Sequence, residues 1–166
     1  MKFVRHAIGL AALCLCVGAH AAGSGEMTRK GQTTKLPNAY AYRQADHFDK
    51  SKMITTVLFT TKPLDTAKID AASEQIDAAE AQLRQLEASY VELDIAADGS
   101  LEMIGFFAPG VSVSGGTSDK PVLTHNDARR IEGSFRSTDE KDKTGDFGGY
   151  YDLKFALDIP PPAAKH

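Results

Sequence analysis

The sequence predicts an α+β fold. An antiparallel β-sheet of about seven or eight short strands, curled or folded into a sandwich, packs on one long α-helix inserted after the second strand. Three observations predict it. Residues 90–159 alternate apolar and polar side chains in short runs separated by turn residues. Residues 53–60 (MITTVLFT) are rich in β-branched and aromatic side chains. Between these regions Ile69, Ile76, Leu83 and Tyr90 recur at helical spacing, with Ala72, Ala79 and Leu86 at companion positions.

The chain opens with Lys2, Arg5 and His6, then an apolar run from Ala7 to Val17, then Ala19-His20-Ala21. This is the pattern of a secretory signal peptide cleaved after Ala21. The run is too short to span a bilayer, which takes about 20 residues. Cys14 and Cys16 lie within it, each preceded by Leu, where a lipobox would want a small residue. A lipid anchor is therefore disfavoured. Residues 22–38 hold much Gly, Ser, Thr and Lys and read as a flexible leader. The folded body is expected over 39–159 as a single domain. Residues 160–166 (PPPAAKH) are expected to be a disordered tail.

Within the body, residues 39–43 and 53–60 are expected to pair as a hairpin across the polar loop 44–52. Pro63 stops the second strand, and Asp65 or Thr66 can cap a helix over about 65–88. Its mostly Ala companion positions favour a helix lying on a sheet over a coiled-coil dimer. Strands resume at 90–95, where Val91, Leu93 and Ile95 face one way and Glu92 and Asp94 the other. Asp98-Gly99 is a turn signal, and 101–107 returns as the partner strand. Short strands follow at 111–113, 121–124 and 129–136. The last strand carries Tyr151, Leu153, Phe155, Leu157 and Ile159 on one face.

Both cysteines leave with the signal, and the remaining acids outnumber the bases by 22 to 17 once Lys2 and Arg5 are subtracted from 19. A cysteine-free exported domain depends on its core and suits a bacterial envelope. Localisation is expected to be periplasmic or secreted. The acidic balance argues against nucleic acid as a partner. No integral membrane span is expected in the mature chain.

Chemistry is sparsely signalled. Asp46-His47-Phe48-Asp49 places three possible metal ligands in one loop, but zinc sites usually draw on more than one His or Cys. A site joining His47, His125 and a carboxylate would need the fold to bring them together. Asp94, Asp98, Ser100 and Glu102 fail the spacing of a calcium loop. Residues 110–115 (GVSVSG) are not a nucleophile elbow, because no helix follows. Carboxylates are plentiful, yet one sequence does not choose a pair. No catalytic residue, cofactor or metal ligand is assigned. Arg129, Arg130, Arg136 and Tyr150 form a candidate recognition patch, weighed against a reading in which nearby Tyr151 and Phe135 are core and the arginines guard strand edges.

The first expectation is therefore a non-enzymatic exported module binding a protein or envelope ligand. The second is a carrier of a small lipid-like ligand. The third is a hydrolase using Asp/Glu or His47 and His125.

Overall fold

The computed structural model describes residues 22–144, 149–161 and 163. The predicted signal peptide, with Cys14 and Cys16, and tail positions 162 and 164–166 lie outside the described residues. Ten strands make two antiparallel sheets. The first sheet takes β1 (Ala22–Arg29), β2 (Gln32–Leu36), β8 (Val122–Asn126), β9 (Arg130–Arg136) and β10 (Tyr150–Asp158), in the order β2-β1-β10-β9-β8. The second takes β3 (Asn38–Ala45), β4 (Met53–Thr60), β5 (Tyr90–Ile95), β6 (Leu101–Ala108) and β7 (Val111–Gly115), in simple sequence order. The chain crosses between the sheets at Pro37 and again over 116–121.

The two sheets bury their apolar faces against each other. Phe59, Val91, Leu93 and Phe106 of the second sheet meet Phe135, Leu153, Phe155 and Leu157 of the first. Phe59 and Phe155 join the sheets edge to face, with ring centroids 6.0 Å apart. The sandwich alternative is thus the one adopted, with more strands than the seven or eight expected.

Two expectations are corrected. Residues 22–38 are not a flexible leader, because 22–29 and 32–36 are strands β1 and β2. Their few apolar side chains are well used: Met27 and Leu36 are fully buried. Glycine does the rest. A Cβ on Gly23 would lie 2.5 Å from Ala39 Cβ, and one on Gly25 2.4 Å from Leu153 Cδ2, so bare backbone packs directly on the core.

The long helix is also corrected. It divides into α1 (Thr66–Asp70) and α2 (Gln75–Gln85). Asp65 caps α1 by accepting from Lys68 N–H. Ser73, a weak helix former, stands in the break. The break lets Ile69 and Ile76 enter the same apolar cluster, with Ala79 and Leu83, on the outer face of the second sheet. That face supplies Tyr42, Leu58 and Tyr90. Ile76 is 6% exposed and Leu83 1%, so the stripe lies on a sheet. The helices cover the back of the sandwich and leave its apolar interior to the opposing sheet.

The end of α2 closes in a Schellman arrangement. Ala88 N–H donates to Leu83 C=O at 3.0 Å and Glu87 N–H to Arg84 C=O at 3.1 Å. Glu87 takes the left-handed turn, with φ 50°. Beyond β10, Pro161 C=O accepts from the Gln75 side chain at 3.3 Å, tying the start of the tail to α2. No helix among the described residues is long and apolar enough to cross a membrane.

Candidate functional site

The loop from β3 to β4 is organised by its own acids. Asp46 Oδ1 accepts from the backbone N–H of Phe48 at 2.6 Å and of Asp49 at 3.2 Å. The bond from Phe48 is the main reason the Asp46 carboxyl is held below the usual carboxylate range. Asp49 Oδ1 accepts from both the N–H and the hydroxyl of Ser51. Backbone bonds from Asp46 N–H to Lys52 C=O and from Lys52 N–H to Asp49 C=O close the turn. This local wiring displays Phe48, which is 89% exposed, at the loop tip. Half-exposed Met53 stands at the start of β4.

His47 turns the other way, toward the sheet. Its Nε2 lies 2.9 Å from Asp94 Oδ2, in the middle of the structure's most buried strand. The same carboxylate accepts from Thr56 Oγ1 at 2.6 Å, and Thr56 accepts from Gln44 Nε2 at 2.7 Å. Strand register explains the chain of contacts: Asp94 pairs with Thr56 across β4–β5, and Thr56 with Tyr42 across β3–β4. Asp94 is wholly buried, while the His47 side chain keeps 38% of its surface exposed.

Glu92 shares the face of Asp94 and is 4% exposed. Burial pushes its carboxyl up to about 8, helped by the negative charges of Asp94 and Glu80. One donor atom each from His47, Glu92 and Asp94 falls within 4.8 Å of the others. A second crowding of acids adjoins it. Burial first, and Asp46 next, raise Glu102, whose Oε2 is buried without a hydrogen-bond partner.

Sequence reasoning placed Glu92 and Asp94 on the face opposite Val91, Leu93 and Ile95, which is correct, but gave that face no cover. The missed signal lies in β4. Seven of its eight residues are buried, so both faces of that strand are covered and its neighbour shares the cover. The 46–49 loop carries ligand types, but Asp46 and Asp49 are occupied with backbone, and His47 finds carboxylates elsewhere.

His125 does not join His47. It lies in the other sheet, with Nε2 2.7 Å from its own Asp127. Asp98 accepts from Ser100 N–H and hydroxyl, and Gly99 has φ 85°, so that segment is the expected turn. The candidate patch of Arg129, Arg130, Arg136 and Tyr150 does not form one surface. Arg130 and Arg136 stand at opposite ends of β9, about 20 Å apart at the rise of a strand. Arg130 is engaged by Glu132 and Asp158. Tyr150 is buried, accepts from Arg136 Nε at 2.9 Å, and lies under Lys143 Nζ, 4.3 Å from the ring centroid.

Two hollows lie away from these residues. One of about 410 Å³ opens between the sheets and is lined by Ile104, Val113, Gly116, Phe135, Ser137 and Tyr151. Another, of about 430 Å³, lies between α2 and the stacked Tyr90 and Phe107 rings, whose centroids are 4.7 Å apart. No known protein family, curated protein or solved structure matches the chain.

Proposed function

We propose that the chain is an exported bacterial module of the periplasm or exterior. It binds a protein or envelope ligand through the β3–β4 loop and carries out no reaction of its own. The observation that carries this reading is Phe48, an exposed aromatic side chain on a loop already held in one shape. An aromatic anchor that needs little ordering on contact is what binding hot spots use. Export rests on the basic, apolar and small-residue order of residues 1–21.

A photo-crosslinking residue at position 48, in the protein expressed in its native cell, tests the reading. A discrete adduct from position 48 is expected, with none from exposed Val122 in the other sheet. Identical adduct patterns from both positions, or none from either, would sink the proposal. N-terminal sequencing of the same material is expected to begin at Ala22.

The hollow between the sheets supports a second reading, a small apolar ligand held at its mouth. Native mass spectrometry decides between them. A co-purifying lipid that leaves when Gly116 is replaced by Phe favours the carrier.

A further inference from the structure

The geometry points to a divalent transition-metal site, zinc foremost, built from His47 Nε2 and the carboxylates of Glu92 and Asp94. The inference is independent of the proposed partner surface.

The donor set comes first. One imidazole and two carboxylates are ligands that zinc and its neighbours accept, whereas calcium and magnesium call for six or more oxygens. The three donor atoms lie within 4.8 Å of one another. Ligand bonds of about 2.0–2.2 Å place any two donors no more than about 4.4 Å apart, so small side-chain rotations suffice.

Glu92 gives the second, independent observation. Its side chain is almost wholly buried, and its carboxyl shares its surroundings with a second buried acid, Asp94, and with His47. Like charges crowded together out of water repel unless a cation lies between them. The space this carboxyl faces holds His47 and Asp94, and a cation there would satisfy it.

The surroundings are those of a supported ligand. Thr56 donates to Asp94 Oδ1 and is itself held by Gln44, which fixes the carboxylate and leaves Oδ2 turned to His47. Such outer partners orient metal ligands and sharpen affinity. His47, exposed over 38% of its side chain, gives the ion a way in from solvent and leaves room for a water ligand. The site would also tie the β3–β4 loop to β5, two segments otherwise joined at this point through one hydrogen bond.

The test uses the full protein as purified from its native cell, stripped with chelator and titrated with zinc chloride by calorimetry. Manganese, magnesium and calcium chlorides serve as comparisons. One equivalent of zinc is expected to bind and to raise the unfolding temperature, with magnesium and calcium inert. His47→Ala and Glu92→Gln are each expected to weaken zinc at least tenfold, and His125→Ala to leave it unchanged. Circular dichroism of each variant confirms that it remains folded. Absence of stoichiometric binding overturns the site. So does binding that survives His47→Ala, or that is lost on His47→Ala yet is unchanged by Glu92→Gln.

Discussion

Glu92 and Asp94 stand two residues apart on one face of β5, both buried, and they are treated differently by their neighbours. Asp94 is answered by Thr56 at 2.6 Å and His47 at 2.9 Å. Glu92 is answered by neither, and its carboxyl is pushed up to about 8, first by burial. Burial sets Glu92 to keep its proton well above the pH at which an ordinary carboxyl loses it.

That asymmetry sets a pH dependence. Folded Glu92 holds its proton more tightly than the unfolded chain does, so the folded state binds more protons between about 4.5 and about 8. Stability of the metal-free protein from this group is therefore lost as pH rises through that window, and flat above it. One proton limits the slope to about 1.4 kcal/mol per pH unit. Glu92→Gln removes the titration. In urea unfolding, the variant is expected to match the parent near pH 4 and to exceed it at pH 8.5. A constant difference between the two at all pH values would refute the assignment.

Asp94 makes the opposite demand. Thr56→Val keeps the side-chain shape but removes the hydroxyl that donates to Asp94 Oδ1 and receives Gln44. An unanswered buried carboxylate oxygen is expected to cost about 1–3 kcal/mol. Thr56→Ser, which restores the hydroxyl, is expected to recover most of it. Denaturant midpoints of the three proteins check both statements.

The C-terminus of α2 contains an easy gain. Glu87 occupies a left-handed conformation that costs an L-residue about 1–2 kcal/mol, and its backbone N–H already completes the Schellman pair. Glu87→Gly is expected to raise stability by up to about 1 kcal/mol, after the flexibility it adds to the unfolded chain. Glu87→Val is expected to lower it. Thermal unfolding of the three proteins orders them.

Gly25 marks the reverse case. Any Cβ there meets Leu153 Cδ2 at 2.4 Å and Asp152 C=O at 2.7 Å, so Gly25→Val must push β1 off β10. The expected cost is about 1–3 kcal/mol, the range for overpacked cores. Gly116, with open space around its Cα, serves as the control, and Gly116→Ala is expected to be neutral. Urea unfolding separates the two.

The same glycine shows where sequence reading stops. Alternation located strands such as β5 and β10, β-branched and aromatic richness located β4, and β4 and β5 have the expected bounds. β1 and β2 escaped because Gly23 and Gly25 contribute closeness and no side chain, and closeness to Ala39 and Leu153 is a long-range fact. The helix stripe was legible, but the turn at 71–74 depends on the sheet beneath it. His47 was visible as a ligand type. Its partner, 47 residues further on, was not, because the register that brings Asp94 under the loop belongs to three strands at once.

The second sheet is one unbroken stretch of chain, 38–115, and every strand in it finds its neighbour next in line. The first sheet is not: Ala22 is matched with Ala156. During synthesis the β1–β2 hairpin must therefore wait, one margin unclaimed, until β10 leaves the ribosome. A message cut short before β10 would yield a helix-backed meander whose Phe59 and Leu93 face water, a sticky half-product rather than a smaller working one.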